Sequence, residues 1–281
     1  MNHRCPTMTK VESVYKSDSL SVTFITAEYT SAYSEIDFNA YPTISFPVIS
    51  CFDYEAGSTK FLLDTNQVLF EKGQTEFKVS KYPIFNKDAT LSIQFLKPNE
   101  EIHNCFSKLN QHVSVQRRNI EIEILLRKLL SAAFNNNEAL KEQLLIDIIN
   151  SVPFNNFQNW IPEKSNHYTI KHIDESKDFI HTHYHENLRI TDIASISCLS
   201  PFHFSRMFRL ITGYAPYDYL LKTRIENAKL LLEKDIPVTQ TAFSCGFNSL
   251  DNFSYTFNKV AGSSPSSFKK SKISKGKLIH L

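Results

Sequence analysis

No stretch of this 281-residue chain stays apolar for the roughly 20 residues that cross a bilayer, so the sequence predicts no membrane span. Met1 to Lys10 hold no apolar signal core, which predicts a protein that is not secreted. Cysteine is scarce and scattered: Cys5, Cys51, Cys105, Cys198 and Cys245 form no C-x-x-C pair. An odd, dispersed set fits reduced cytosolic thiols better than disulfides or structural zinc. The N-terminal half also lacks the means for catalysis. Its histidines are only His3, His103 and His112, too few for a cluster of His plus carboxylate around a metal. Cys5, Cys51 and Cys105 lack the spacing of activated thiolates. The expectation is a protein that is not an enzyme, with no cofactor and no metal.

What is present is ordinary soluble-protein composition, 42% hydrophobic and 21% charged, in a chain long enough for two domains. The net charge of +2 conceals an asymmetry. From His167 to Leu281 there are 15 Lys and Arg against 10 Asp and Glu; up to Asn166 there are 16 against 19. A basic C-terminal part beside a mildly acidic N-terminal one suits a polyanion-binding module joined to something else. The run Lys269, Lys270, Lys272, Lys275 and Lys277 reads as a basic tail, either a solubilising end or a contact for phosphate.

Residues from about Ser19 to Leu96 read as strands. Ile44, Phe46 and Val48 alternate with polar or small neighbours, as do Phe77 and Val79, then Leu91, Ile93 and Phe95. Asp64-Thr-Asn66 and Glu71-Lys-Gly73 interrupt the runs with turn chemistry. This pattern predicts a small β-sandwich or barrel. The period then changes. Between about Val115 and Phe134, Ile122, Leu125 or Leu126, Leu129 and Ala133 share a helical face, and Glu123 stands one turn before Arg127. Asn135-Asn-Asn137 stops that helix, and Glu138 to Ile149 gives a second. Such a hairpin packs on the barrel, pairs with a second subunit, or does both. The expected division is therefore residues 1–152 as an α+β domain (strands 19–96, helices 115–150), 153–166 as a linker, 167–270 as an all-α domain and 271–281 as the tail.

The all-α region contains a repeat. Thr191 and Ala194 recur as Thr239 and Ala242; after one inserted residue, Ser200, Phe204, Ser205, Phe208, Gly213 and Pro216 recur as Ser249, Phe253, Ser254, Phe257, Gly262 and Pro265, and Tyr219 recurs as the aromatic Phe268. Each copy reads helix, tight turn, helix. In the first, Ile190 to Ser197 form the short helix, Ser200 is an N-cap and Pro201 takes the first helical position. Phe204, Phe208 and Ile211 face the core, Phe202, Ser205, Arg206 and Arg209 face outward, and Gly213 ends the helix. In the second, Val238 to Cys245 is the short helix, Gly246 turns, and Ser249 opens a helix with Phe253, Phe257 and Val260 inward. Leu250, Asp251, Ser254, Tyr255 and Asn258 point outward, and Gly262 ends it. Pro216 to Lys234 joins the copies as a helix of about 28 Å. Successive major-groove segments on one face of DNA lie about 34 Å apart, so such a rod can hold two recognition helices near that separation.

The run Ser200-Pro-Phe-His-Phe-Ser-Arg-Met-Phe208 with Gly213 and Pro216 resembles the first motif of the AraC/XylS family. Arg224, Ala228 and Leu231-Leu232 resemble its linker helix. Ala242-Phe-Ser-Cys-Gly-Phe247 with Phe253, Phe257, Gly262, Pro265 and Phe268 resembles its second motif. The resemblance covers about 100 residues in order. It implies two helix-turn-helix units on two adjacent major-groove segments of double-stranded DNA, in a cytoplasmic, nucleoid-associated transcription regulator, most often an activator. It further implies a cupin-like N-terminal domain open to a small-molecule effector or a second subunit, with RNA polymerase as a partner. Two departures stand out. Gln240 and Thr241 replace the usual acidic and branched apolar residues, so a hydroxyl enters the core of the second unit. Tyr255 stands where an Arg is common, and Asp251 adds negative charge, which points to weak or backbone-only contact there.

On that reading Arg206 donates two hydrogen bonds to a guanine, or else sits on a phosphate. Ser205 meets a base edge or a phosphate, Phe202 touches a thymine methyl or covers a helix junction, and Arg209 meets phosphate. Asp251 accepts from cytosine or simply complements its helix start; Leu250, Ser254 and Tyr255 complete the set. Arg224 reads as a structural tie. His181, His183 and His185 read as a solvated helix end in preference to a metal site, and Cys198 and Cys245 as small core residues. A reading from another class makes the β-domain a small-molecule binder or vestigial enzyme and the helical region a protein-interaction domain. Salt-dependent DNA affinity separates the two.

Overall fold

The computed structural model describes residues 8–28, 33–81, 87–109, 111–133, 137–152, 154 and 167–278. The chain divides into two compact units, Met1–Lys171 and His172–Leu281. The first is α+β, the second helical.

Two antiparallel sheets build the first unit. The larger has the order β1 (Met8–Lys16), β2 (Leu20–Glu28), β9 (Lys87–Phe95), β4 (Thr43–Ile49), β7 (Gln67–Glu71) and β10 (Val113–Arg117). The smaller has the order β3 (Tyr33–Asn39), β8 (Thr75–Lys81), β5 (Phe52–Ala56) and β6 (Thr59–Leu63). A two-residue turn joins β5 to β6 with Gly57 at φ 58°, where the absent Cβ removes the steric cost.

Alternation along the strands sets the layers. Ile44, Phe46, Val68, Phe70, Leu91, Ile93 and Phe95 lie on one face of the larger sheet, against helices α1 (Glu100–Ser107), α2 (Ile120–Ala133) and α3 (Glu138–Ser151). Its other face meets the smaller sheet, where Leu69, Val113 and Val115 pack on Phe52, Tyr54, Phe61, Leu63 and Val79. Burial on both faces is why β7 is buried at every residue. The helix pair α2–α3 thus packs on the sandwich through Ile122, Leu125, Leu126, Leu129, Leu144, Leu145 and Ile148.

Three expectations need correction here. Strand β1 precedes the strand region read from the sequence, and α1 was not anticipated. Val113-Ser-Val115-Gln-Arg117 is strand, so the helix begins at Ile120 instead of near Val115; register with β7 (Val113↔Glu71, Arg117↔Gln67) overrides the apolar run that looked helical. Glu71 is also not a turn residue. It ends β7 facing inward, where its Oε1 accepts a 2.6 Å hydrogen bond from Tyr54 Oη and its Oε2 a 2.7 Å bond from Asn39 Nδ2. Gln94 Nε2 donates to Asn39 Oδ1 at 3.0 Å, and Ser45 and Ser92 bond each other at 3.0 Å. Asn137 starts α3 as its N-cap, accepting from the Leu140 amide. Phe134 to Asn136 and the expected linker 153–166, apart from Phe154, lie outside the described residues.

Two buried ions of this unit, Arg118 and Glu123, pair with each other. Arg118 reaches Glu123 at 3.3 Å and donates to the carbonyls of Pro47 and Gln67 at 2.6 and 3.0 Å, while Glu123 also holds Arg127 at 3.1 Å. The Pro47 carbonyl lies where β4 shifts register against β9.

The helical unit comprises α4 (His167–His183) from His172 onward, α5 (Ile190–Ile196), α6 (Pro201–Thr212), α7 (Pro216–Glu233), α8 (Val238–Ser244), α9 (Leu250–Ala261) and α10 (Pro265–Leu278). Helices α5 and α8 have seven residues each and α6 and α9 have twelve, in the order the repeat predicts. Among the described residues no helix is long and apolar enough to cross a membrane.

Candidate nucleic-acid interface

Local chemistry sets both helix pairs. Ser200 Oγ accepts from the His203 amide at 3.3 Å and Ser249 Oγ from the Asn252 amide at 3.2 Å, each satisfying one amide that a helix start leaves without a partner. Gly213 and Gly262 close α6 and α9 in the left-handed region, at φ 85° and 72°, donating to the carbonyls of Arg209 and Asn258. Phe204, Phe208, Phe253 and Phe257 are wholly buried. Equivalent rings then stack alike: Phe208 lies 5.3 Å from Tyr219, and Phe257 lies 5.5 Å from Phe268. The second core adds Ile225, Ala228 and Leu232 from α7 to Ala242, Cys245 and Phe247.

This packing leaves one face of each longer helix outward. On α6, Phe202 is 83% exposed and covers no junction. Arg206 and Arg209 are exposed, and among the described residues neither guanidinium has a carboxylate partner. Ser205 is half-buried and donates its hydroxyl to the Pro201 carbonyl at 2.7 Å, leaving its lone pairs for a second bond. On α9, Tyr255 is 70% exposed and Leu250 and Asp251 are exposed, while Ser254 is half-buried. All eight residues singled out in the sequence lie on these two helices.

The family model described as a helix-turn-helix domain matches residues 193–271. The C-terminal part of the chain therefore carries a helix-turn-helix domain of the AraC type. It is 30% identical over 92 residues to the probable transcriptional regulator LumQ of Photobacterium leiognathi, covering 32% of this chain and 37% of that protein. It is 31% identical over 129 residues to the Msm operon regulatory protein of Streptococcus mutans, covering 46% and 45%. The chain thus spans less than half the length of these curated relatives. Among solved structures, the DNA-binding domain of the global transcriptional factor AdpA, in complex with a target DNA, is 30% identical; the match covers 37% of this chain and 95% of that one, with TM-score 0.36.

Within the AraC-type domain, several residues take places the sequence did not assign. Cys245 is buried as expected, and burial pushes its thiol pKa up to about 12, so it is an unreactive packing group. Cys198 is a correction: it is exposed, at φ 53°, because Ser197 takes the buried place one residue earlier. Cys198 matches Gly246, which turns at φ 79°, so both copies turn through the left-handed region. Thr241 and Thr223 are wholly buried, and among the described residues neither hydroxyl has a hydrogen-bond partner. The histidines in the last turn of α4 are not simply solvated. His181 Nε2 lies 2.9 Å from Tyr219 Oη and His183 Nδ1 lies 3.0 Å from the Phe179 carbonyl. Among the described residues no group of three or more His, Cys, Asp or Glu could hold a metal ion. Lys269 is not a free solubilising charge: it donates to the carbonyls of Asp235 and Ile236 at 2.9 and 3.0 Å and pairs with the Asp235 carboxylate at 2.9 Å.

Arg224 does act as a tie, but to backbone. Its Nε donates to the Tyr184 carbonyl and an Nη to the Glu186 carbonyl, both at 2.7 Å, with its plane 5.7 Å from the Phe247 ring centre. Burial lowers its pKa. Gly246, beyond its role as a turn residue, was missed as the seat of that backbone, and Phe247 as the ring against the Arg224 guanidinium. The one available signal was a Gly in the second copy where the first has Cys.

Proposed function

We propose that this chain is a sequence-specific, DNA-binding transcription regulator that acts in the cytoplasm on double-stranded DNA. The observation that carries this reading is the outward pair Arg206 and Arg209 on α6, without carboxylate partners, inside a domain of the AraC type. A guanidinium on an exposed recognition helix can fork onto guanine O6 and N7, and a second one a turn later can meet phosphate. On this reading α5–α6 and α8–α9 are two helix-turn-helix units, held by the 18-residue α7, whose length is about 27 Å. They enter adjacent major-groove segments. Phe202, Ser205 and Arg206 read sequence and Arg209 meets phosphate, while Leu250, Asp251, Ser254 and Tyr255 make weaker contacts.

The sandwich is then a cupin-like regulatory domain, residues 1–152, linked through 153–166 to a DNA-binding domain at 167–270 and a basic tail at 271–281. A small-molecule effector there shifts the population between DNA-competent and incompetent arrangements. Activation through RNA polymerase and dimerisation through α2–α3 belong to the same proposal. Leu140 and Ile146, both more than 40% exposed on α3, supply apolar surface for a second copy.

The test is a pull-down of genomic DNA fragments by the purified full chain, followed by sequencing. Enrichment of one motif with two short elements about one helical turn apart is the expected result. A second reading draws on Phe202, Phe243 and Tyr255, each more than 50% exposed, as a protein-docking surface. It is favoured if no fragment is enriched at any salt concentration.

A further inference from the structure

The six residues between α4 and α5 are a strap, Tyr184 to Arg189, that runs directly into the first helix pair. Its backbone is held at both ends of a short stretch: Glu186 N–H donates to the His183 carbonyl at 2.9 Å, and Leu188 N–H to the Glu186 carbonyl at 3.0 Å. Carbonyls at and just past a helix C-terminus lack helical donors and sit at the negative end of the helix dipole. Arg224, 7% exposed, fills that need with its fork on Tyr184 and Glu186. Among the described residues it has no carboxylate partner, so its buried charge is balanced by carbonyl dipoles and the Phe247 face.

The second helix pair presses on the same strap from its turn. A Cβ on Gly246 would lie 2.8 Å from the His185 carbonyl oxygen and 2.9 Å from that of Tyr184, both backbone atoms that cannot swing away. The equivalent turn residue of the first pair, Cys198, carries a Cβ and is exposed, so no such seat exists there. One piece of backbone therefore feeds the first pair and seats the second.

Resting on the DNA-binding reading, we propose that Arg224 is a positioning residue: by clamping Tyr184–Glu186 against Gly246 and Phe247 it fixes the register of the two helix pairs on DNA. Helix α7 shares a core with the second pair through Ile225, Ala228 and Leu232, and the Arg224 fork ties that assembly to the backbone that leads into the first pair. Lysine at this position keeps the charge but cannot fork onto two carbonyls.

The test selects binding sites from a randomised duplex library, once with the wild-type chain and once with Arg224→Lys, the variant most apt to stay folded. The wild type is expected to select two elements at one fixed spacing. Arg224→Lys is expected to keep the first element and to lose the second severalfold or spread it over several spacings. Amide hydrogen exchange without DNA supplies an independent readout: Glu186, Gly246 and Phe247 should exchange faster in the variant while α6 does not. An unchanged two-element spacing, or exchange that accelerates equally across α6, overturns the proposal. A wild type that selects nothing at low salt overturns the DNA reading itself, and the exchange profile then still reports whether the clamp exists.

Discussion

Tyr255 stands on α9 where Arg206 stands on α6, 49 residues earlier, and both side chains are exposed. Their scaffolds are alike: a serine cap, two buried phenylalanines one turn apart and a left-handed glycine. Packing therefore does not dictate the difference between them. The exposed face of α6 offers two guanidinium groups, whereas that of α9 offers a phenol, a carboxylate and the ammonium of Lys259. A polyanion would meet the two helices on unequal terms.

Arg206→Ala is expected to weaken binding to the cognate duplex by about 1–3 kcal/mol, roughly 5- to 150-fold, with little change on random DNA. Arg209→Ala should instead weaken both and lower the salt slope by about one. Anisotropy titrations at several salt concentrations separate the two. Equal loss on cognate and random DNA for Arg206→Ala would make it a phosphate contact.

Among the described residues the buried Thr241 hydroxyl has no hydrogen-bond partner, and next to it in the chain Ala242 joins Ile225, Ala228, Leu232, Cys245, Phe247, Phe253 and Phe257 in an apolar core. An unpaired buried hydroxyl costs about 1–3 kcal/mol, and valine has nearly the same shape. Thr241→Val should therefore stabilise the helical unit by about 1 kcal/mol in urea unfolding. A loss of stability would show that the hydroxyl finds a partner in solution.

The helical unit was legible because its determinants are local. Serine caps, glycine stops and phenylalanines four apart lie within one turn of what they control, and they recur in both copies. The β-domain was legible only as a class. Strand β10 exists because it pairs with β7, more than forty residues away, and nothing in Val113 to Arg117 itself announces that partner. Glu71 followed by Lys72-Gly73 looks like a solvated turn, yet chain reversal begins only after Glu71. Arg224 was readable as a tie but not its partners, since two backbone carbonyls leave no mark in a sequence.

Cys198 and Gly246 share a left-handed turn, but only the glycine faces backbone. Gly246→Ala should cost at least about 2 kcal/mol, from unfavourable φ together with a clash against the Tyr184–His185 backbone. Cys198→Gly relieves φ strain at an exposed site and should stabilise by up to about 1 kcal/mol. Thermal melts of the two variants test the pair. Similar effects would mean that the strap moves aside for a methyl group.

Glu71 lies 2% exposed between the two sheets. Burial raises its carboxyl pKa above the ordinary range, against the downward pull of hydrogen bonds from Tyr54, Asn39 and Ser45. The folded chain therefore keeps this proton at a pH where the unfolded chain, near about 4.3, has lost it. Its contribution to stability is full below the unfolded value and is lost as pH rises through the folded one. Glu71→Gln, which cannot ionise, should remove that decline, so the variant gains on the wild type as pH increases and then levels off. Tyr54→Phe deletes a donor to Oε1, raises the carboxyl further and should extend the decline to higher pH. Urea unfolding of the three proteins across the acid-to-neutral range measures this. Parallel curves for wild type and Glu71→Gln would mean that Glu71 ionises in the fold as freely as in the unfolded chain.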